Sequence, residues 1–183
     1  MWKAVLLLFL LLPPTALAKG KTLRVNGRGF SFSISEPEGW VVDFRSAAQI
    51  ANFVMHPKLS TWRESSVVVF GRFLAKQPKE TLETFVDNAL EEFQNSCPFF
   101  DIQDSDLELD GPQSFTTKIL RCPGVRHEMV AVTEVPGFFV AFVLSADSPN
   151  GLREAQSPFQ EVLSSFLWLK RNSDRRPTTP QNQ

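Results

Sequence analysis

Residues 125–146 constrain the fold more than any other part of this sequence, because they predict two strands joined at Pro136-Gly137. The second strand, residues 138–144, is apolar at every position. Successive side chains of a strand point to opposite faces of its sheet, so such a strand needs apolar cover on both sides. We therefore expect this strand to lie inside a sheet with other parts of the chain packed on each face.

Residues 1–18 are typical of a secretory signal peptide. They combine a basic Lys3, an apolar run at residues 5–12 and a small-x-small pattern at Ala16-Leu17-Ala18. The apolar run is far shorter than the roughly 20 residues of a spanning helix, which favours a signal peptide over a membrane anchor. We expect a soluble, extracytoplasmic product, periplasmic or secreted, with no transmembrane segment after cleavage.

The charge balance argues against nucleic acid as a partner. Residues 1–18 contain one Lys and no acid, so the remaining chain has 18 basic and 20 acidic residues and a net charge of −2. Nucleic-acid-binding proteins usually present a strongly basic face. We expect no nucleic-acid partner.

Hydrophobic periodicity predicts a single α+β domain over residues 29–169. Strand patterns occur at residues 30–35, 40–44, 48–56, 67–74, 114–122 and in the two strands of residues 125–146. Turn residues 36–39 join the first two of these strands in a predicted hairpin. Because hairpins outnumber helical crossovers, the sheet should be mainly antiparallel.

Two amphipathic helices should cover this sheet, one on each face or both on one face. The first is predicted by a single apolar stripe made of Leu82, Phe85, Val86, Ala89, Leu90 and Phe93. The second contains Phe159, Val162, Leu163, Phe166 and Leu167. It begins either near Pro149 or at Pro158, and the pattern does not decide between them. Residues 19–28 are a polar lead-in, and residues 170–183 should form a disordered, solvated tail.

The two cysteines, Cys97 and Cys122, are expected to form a disulfide. An isolated pair in an oxidising compartment is more often bonded than reduced, although two buried thiols would also fit the sequence. A catalytic cysteine with His127 as its base is disfavoured because nothing nearby indicates an activated thiolate.

The order of elements and the segment Phe-Ser-Phe-Ser-Ile-Ser-Glu-Pro-Glu-Gly-Trp at residues 30–40 resemble the PsbP-like superfamily. That group includes the DcrB-like bacterial proteins and a Ran-binding nuclear import factor. The resemblance covers residues 29–169 and implies an α/β/α sandwich with a binding or accessory role. It carries no catalytic residue or metal ligand onto this chain.

The sequence contains only weak matches to metal-binding and catalytic motifs. Asp106, Glu108 and Asp110, followed by Gly111, resemble the start of a calcium loop, but Thr117 stands where an EF-hand has Glu. Alternation with leucines favours a solvated strand or loop. His56 and His127 are too few for a zinc site, and no nucleophile-elbow or phosphate-loop motif occurs. His127 is in step with apolar strand residues, which favours a packed histidine. We expect no cofactor, no metal site and no catalytic residue.

Trp62, in a polar loop, is the best candidate for partner binding. His56 is a second candidate, because it precedes Pro57 at a strand end, where we expect an exposed histidine. A tryptophan in a loop is either a binding anchor or a lid that packs onto the sheet, and the lid is favoured. We predict a non-catalytic extracytoplasmic protein with an unknown protein partner. The alternative is an extracytoplasmic hydrolase or metal-dependent enzyme, which would gather His56 or His127 with acids in one cleft.

Overall fold

The computed structural model describes residues 20–27, 30–45 and 51–169. The predicted signal peptide and the predicted tail lie outside these residues. The strands are β1 Lys21–Asn26, β2 Ser31–Glu36, β3 Trp40–Asp43, β4 Phe53–Pro57, β5 Val67–Ala75, β6 Asp101–Asp104, β7 Thr116–Arg121, β8 His127–Val135, β9 Phe138–Ala146 and β10 Leu167–Leu169. The helices are α1 Leu82–Ser96, α2 Pro149–Glu154 and α3 Gln156–Ser165.

Two antiparallel sheets organise these elements. The larger sheet has seven strands in the order β3-β4-β5-β9-β8-β7-β6, and the smaller has the order β1-β2-β10. Strand β9 lies at the centre of the larger sheet and pairs along its full length with β5 and β8. The β8–β9 turn contains Gly137 at φ 82°, a left-handed conformation that glycine adopts without steric cost. The predicted α+β class with a mainly antiparallel sheet is confirmed.

The main core lies on one face of the seven-stranded sheet, which we call the inner face. This face carries Phe53, Met55, Val69, Met129, Phe142 and Leu144. Helices α2 and α3 and the smaller sheet cover it, so that Phe32 lies 4.7 Å from Phe73 and Phe142 lies 5.1 Å from Phe166, measured between ring centroids. Burying each such ring contributes about 1.5–3 kcal/mol, so this layer supplies most of the hydrophobic stabilisation.

The opposite, outer face is covered more thinly. Helix α1 begins at a capping box formed by Thr81 and Thr84 and stacks Phe85 on Phe139 with ring centroids 4.6 Å apart. None of its residues is buried. Trp62 covers another part of this face, beside Val54 and Val68. The two-sided apolar strand β9 is therefore covered on both sides, as its sequence predicts.

The predicted hairpin at residues 30–44 is wrong. Strand β2 pairs with β1 and β10, whereas β3 pairs with β4 in the other sheet. The turn between them, with Gly39 at φ 78°, is a corner where the chain passes from one sheet to the other. A corner and a hairpin give the same pattern of two alternating strands and a turn, because in both cases each strand buries one face.

Two further boundaries differ from expectation, and the structure decides a third that the sequence pattern left open. The predicted lead-in contains β1, whose Leu23 and Val25 pack against the core, so the domain begins before residue 29. The strand predicted at residues 48–56 covers only Phe53–Pro57 within the described residues. Helices α2 and α3 are separate and meet at Ala155, so the chain turns helical near Pro149 and bends before Pro158.

Candidate functional site

The sheet separates the two histidines, either of which the alternative function would combine with acids in a cleft. His56 lies on β4 two residues from Val54, which places it on the outer face. His127 lies on β8 two residues from Met129, which places it on the inner face. A seven-stranded sheet therefore stands between them, so the two histidines cannot act in one site, and the cavity that His127 lines contains no acidic side chain.

The outer face contains an open groove of about 350 Å³ beside Trp62, which we call the Trp62 groove. Its lining residues are Val54, Trp62, Arg63, Ser65, Val68, Phe70, Arg126, Glu128 and Ser145. Apolar side chains of β4 and β5 form one part of this lining. Another part is formed by the polar side chains of Arg126 just before β8, Glu128 on β8 and Ser145 on β9. The groove therefore combines an apolar surface with fixed charges.

Trp62 lies in the turn after β4, where its ring is half-buried against Val54 and Val68. The guanidinium of Arg63, which is exposed, is 5.2 Å from the centre of that ring. This arrangement corresponds to the predicted lid, because the ring packs on the sheet. The uncovered part of the ring still faces the groove that it lines.

A charged network that the sequence analysis missed lies at the opposite side of the groove. Arg126 donates from Nε to the Ser145 hydroxyl at 2.7 Å and from Nη2 to the Ser145 carbonyl at 3.1 Å. The Ser145 hydroxyl donates to Glu128 Oε1 at 2.9 Å, and Arg126 Nη1 lies 2.9 Å from Asp147 Oδ1. The Ser145 hydroxyl is thus held between the guanidinium of Arg126 and the carboxylate of Glu128. These hydrogen bonds fix the orientation of the Arg126 and Glu128 side chains.

Burial raises the pKa of Glu128 from its ordinary value of 4.5. The hydrogen bond from Ser145 and the positive charges of Arg126 and Arg72 oppose this increase in pKa, because each stabilises the carboxylate. The increase shows that desolvation outweighs these three favourable interactions. Glu128 therefore retains a proton at higher pH than an exposed glutamate.

His56 was expected to be exposed at the end of its strand, and this expectation is wrong. The residue is 8% exposed, and its Nδ1 lies 3.0 Å from the carbonyl oxygen of Pro57. The side chain is buried because it alternates with Phe53 and Met55 and so shares the covered outer face with Val54. It offers little surface to a partner compared with Trp62.

The acidic run supplies no clustered ligands. Strand β6 is an exposed edge strand whose Asp101 and Asp104 form ion pairs with Arg121 and Lys118 on β7. Farther along, Leu107 and Leu109 pack against the core while the acids between them face solvent. Within the described parts of the chain, no group of three or more His, Cys, Asp and Glu side chains is arranged to hold a metal ion.

Cys97 and Cys122 form the predicted disulfide, with Cα atoms 6.0 Å apart. The bond joins the end of α1 to the end of β7 and closes a loop with a sequence separation of 25. Helix α1, which packs only loosely on the sheet, is therefore tied covalently to it at one end. Over residues 20–27, 30–45 and 51–169, no helix is both long enough and apolar enough to cross a bilayer.

Comparison with known proteins supplies structural relatives rather than sequence relatives. No family model and no curated protein matches the chain. The structure is similar to cyanobacterial PsbP (CyanoP) from Synechocystis sp. PCC 6803, with a TM-score of 0.53 and 19% identity over 86% of this chain and 97% of that chain. It is also similar to the Ran-binding protein Mog1p of Saccharomyces cerevisiae, with a TM-score of 0.51 and 13% identity over 80% of this chain and 94% of that chain.

At these identities the similarity concerns the fold. The part of the predicted resemblance that concerns DcrB-like proteins stays a prediction. The arrangement of the seven-stranded sheet between α1 on one side and α2 and α3 on the other agrees with the predicted sandwich. The chain has a PsbP-like fold, as residues 30–40 and the order of elements predict.

Proposed function

We propose that this protein is a non-catalytic extracytoplasmic accessory protein that binds a protein partner through the Trp62 groove. The observation that carries the proposal is the groove itself, where a half-buried tryptophan and an exposed arginine border an apolar surface. Tryptophan and arginine are enriched among the residues that contribute most to protein–protein affinity. Partner binding would cover the rest of the Trp62 ring and desolvate the groove.

The hydrogen bonds among Arg126, Glu128 and Ser145 support a binding function and argue against a hydrolase. Ser145 is 2% exposed, and its hydroxyl already accepts from Arg126 and donates to Glu128. A serine nucleophile instead needs a neighbouring base and access to the substrate carbonyl. His127, the neighbour of Glu128 in sequence, points to the other side of the sheet.

The structural relatives and the cysteines add independent support. One protein with this fold is described as Ran-binding, so the fold is compatible with recognition of another protein. The disulfide and the signal-peptide pattern of residues 1–18 both favour an oxidising compartment outside the cytoplasm. The partner is accordingly expected in that compartment.

The proposal is tested by site-specific photo-cross-linking in the native host. A photoreactive amino acid replaces Arg63 at the groove, and in a matched control it replaces Glu154, which is exposed on α2 at the inner side of the fold. We expect one defined protein adduct from position 63 in the extracytoplasmic fraction, on a chain that begins at Lys19. Equal adducts from both positions, or adducts only in the cytoplasm, would contradict the proposal.

A further inference from the structure

A second cavity lies on the inner side of the sheet, away from the Trp62 groove. It has a volume of about 100 Å³ and lies between β7, β8 and the helices α2 and α3. Its apolar lining includes Ile119, Met129 and Leu152. Its polar lining consists of Arg121, His127, Arg153 and Gln156. No acidic side chain lines it, so the cavity is both cationic and apolar.

His127 provides the second observation. Its Nδ1 atom is buried and has no hydrogen-bond partner among the described residues. Buried polar atoms in native proteins are almost always paired, and an unpaired one commonly marks the place of an unobserved water, ion or ligand. Neither arginine donates to Nδ1, and in the tautomer that carries its proton on Nδ1 the partner this atom lacks is an acceptor.

The two arginines keep donors available for such an acceptor. Arg121 uses Nη1 toward Asp101 at 3.2 Å, and Arg153 uses Nη2 toward the side-chain oxygen of Asn150. A guanidinium has five N–H donors, so each retains several for a ligand. Arg153 is exposed, which leaves an entry route from solvent.

We propose that this cavity binds a short-chain monocarboxylate. The planar carboxylate would accept hydrogen bonds from Arg121, Arg153 and His127, which matches the fork geometry of a guanidinium. The alkyl chain would pack on Met129 and the neighbouring aliphatic side chains. A volume equal to roughly three waters limits the ligand to a few heavy atoms, and the apolar wall favours a carboxylate over phosphate.

Calorimetric titration of the purified protein with propionate tests this assignment, with the neutral amide propionamide and inorganic phosphate as comparisons. We expect propionate to bind with a Kd on the order of 1 mM, as its few heavy atoms allow. Propionamide and phosphate should bind at least about tenfold more weakly, because one lacks the charge and the other lacks the alkyl chain. Equal binding of either comparison ligand would overturn the proposal.

Two variants test whether propionate binds in this cavity and not elsewhere on the surface. Arg153→Gln removes the charge at an exposed position, and His127→Phe keeps a ring while removing both nitrogens. Each should weaken propionate about tenfold or more, whereas the control Arg63→Gln, on the other side of the sheet, should leave the affinity unchanged. Because His127 is partly buried, Arg153→Gln decides the outcome if His127→Phe unfolds. Unchanged affinity in Arg153→Gln would overturn the assignment.

Discussion

Glu128 lines the Trp62 groove, and its charged form opposes the stability of the fold. Its carboxyl group is removed from water beside the Trp62 groove, and burial raises its pKa despite the hydrogen bond from Ser145 and the charges of Arg126 and Arg72. A group whose pKa is higher in the folded than in the unfolded state favours folding when it is protonated. Glu128 should therefore stabilise the folded protein less as the pH rises.

Glu128→Gln should remove this pH-dependent contribution to stability. The unfolded pKa is near the ordinary 4.5 and the folded pKa lies above it, so this contribution to stability is fully present below 4.5. It is lost as the pH rises through the folded pKa. Urea denaturation at several pH values should show the wild type losing stability relative to Glu128→Gln above pH 4.5. Parallel stability curves for the two proteins would contradict the prediction.

Gly71 is required by close packing rather than by backbone conformation. A Cβ atom at this position would lie 2.3 Å from Cε1 of Phe53, whose ring is fully buried among other aromatic rings. We predict that Gly71→Ala lowers the free energy of unfolding by about 1–3 kcal/mol, the usual cost of overpacking a core. Gly151→Ala is the comparison variant, since its added Cβ would lie 3.3 Å from Ser148 Oγ, a contact that needs a shift of only a few tenths of an ångström. Equal effects in denaturant titrations would refute the packing argument.

At the scale of elements, α1 combines a regular helix with weak attachment. Its sequence has one clear apolar stripe and a capping box, yet none of its residues is buried. Its main anchors are the stacking of Phe85 on Phe139 and the disulfide at Cys97. The helix forms for local reasons and is retained on the sheet by few contacts, so it should open before the central strands do.

Loss of the disulfide should therefore lower the hydrogen-exchange protection of α1 before that of the central strands. The chain-entropy estimate for a loop of this length is roughly 3.5 kcal/mol. In hydrogen exchange monitored by mass spectrometry, the double variant Cys97→Ser with Cys122→Ser should lose protection across α1 while β9 changes less. A uniform loss over both elements would contradict separate opening of α1. The unmodified protein without reductant is the control.

Local sequence patterns predicted the individual helices and strands better than they predicted which strands pair with each other. The stripe from Leu82 to Phe93 predicted α1, and the two-sided apolar run predicted β9 at the centre of a sheet. The pairing of β2 was mispredicted because a corner between two sheets has the same local sequence as a hairpin. Both sheets satisfy the same alternation, so only the long-range contacts distinguish them.

The candidate site was predictable only in part, for a related reason. Trp62 is conspicuous as a large aromatic residue in a polar loop. Arg126, Glu128 and Ser145 come together only because β8 and β9 pair in register, with Glu128 opposite Ser145. Their sequence signal is a pair of charges at the start of a mainly apolar strand, which an exposed strand end would also give. His56 was misjudged because Pro57 indicated a strand end without indicating burial.

At the scale of the whole molecule, the two sides of the seven-stranded sheet differ in how they are covered. The inner side holds the main aromatic core, and the outer side is covered by a loosely packed helix and a tryptophan. Under the proposed function, a partner would bind the outer side without disturbing the core. The central claim is that the Trp62 groove is the binding surface.

That claim is tested most directly by the affinity of the partner captured at position 63 for the wild type and for Trp62→Ala. A tryptophan at the centre of an interface typically contributes about 2 kcal/mol or more, so the variant should bind roughly 30-fold more weakly. Thermal unfolding verifies that the variant is folded, and Trp168→Phe, on β10 at the inner side, should bind like the wild type. Equal affinity of Trp62→Ala and wild type would contradict the assignment of the groove as the binding surface.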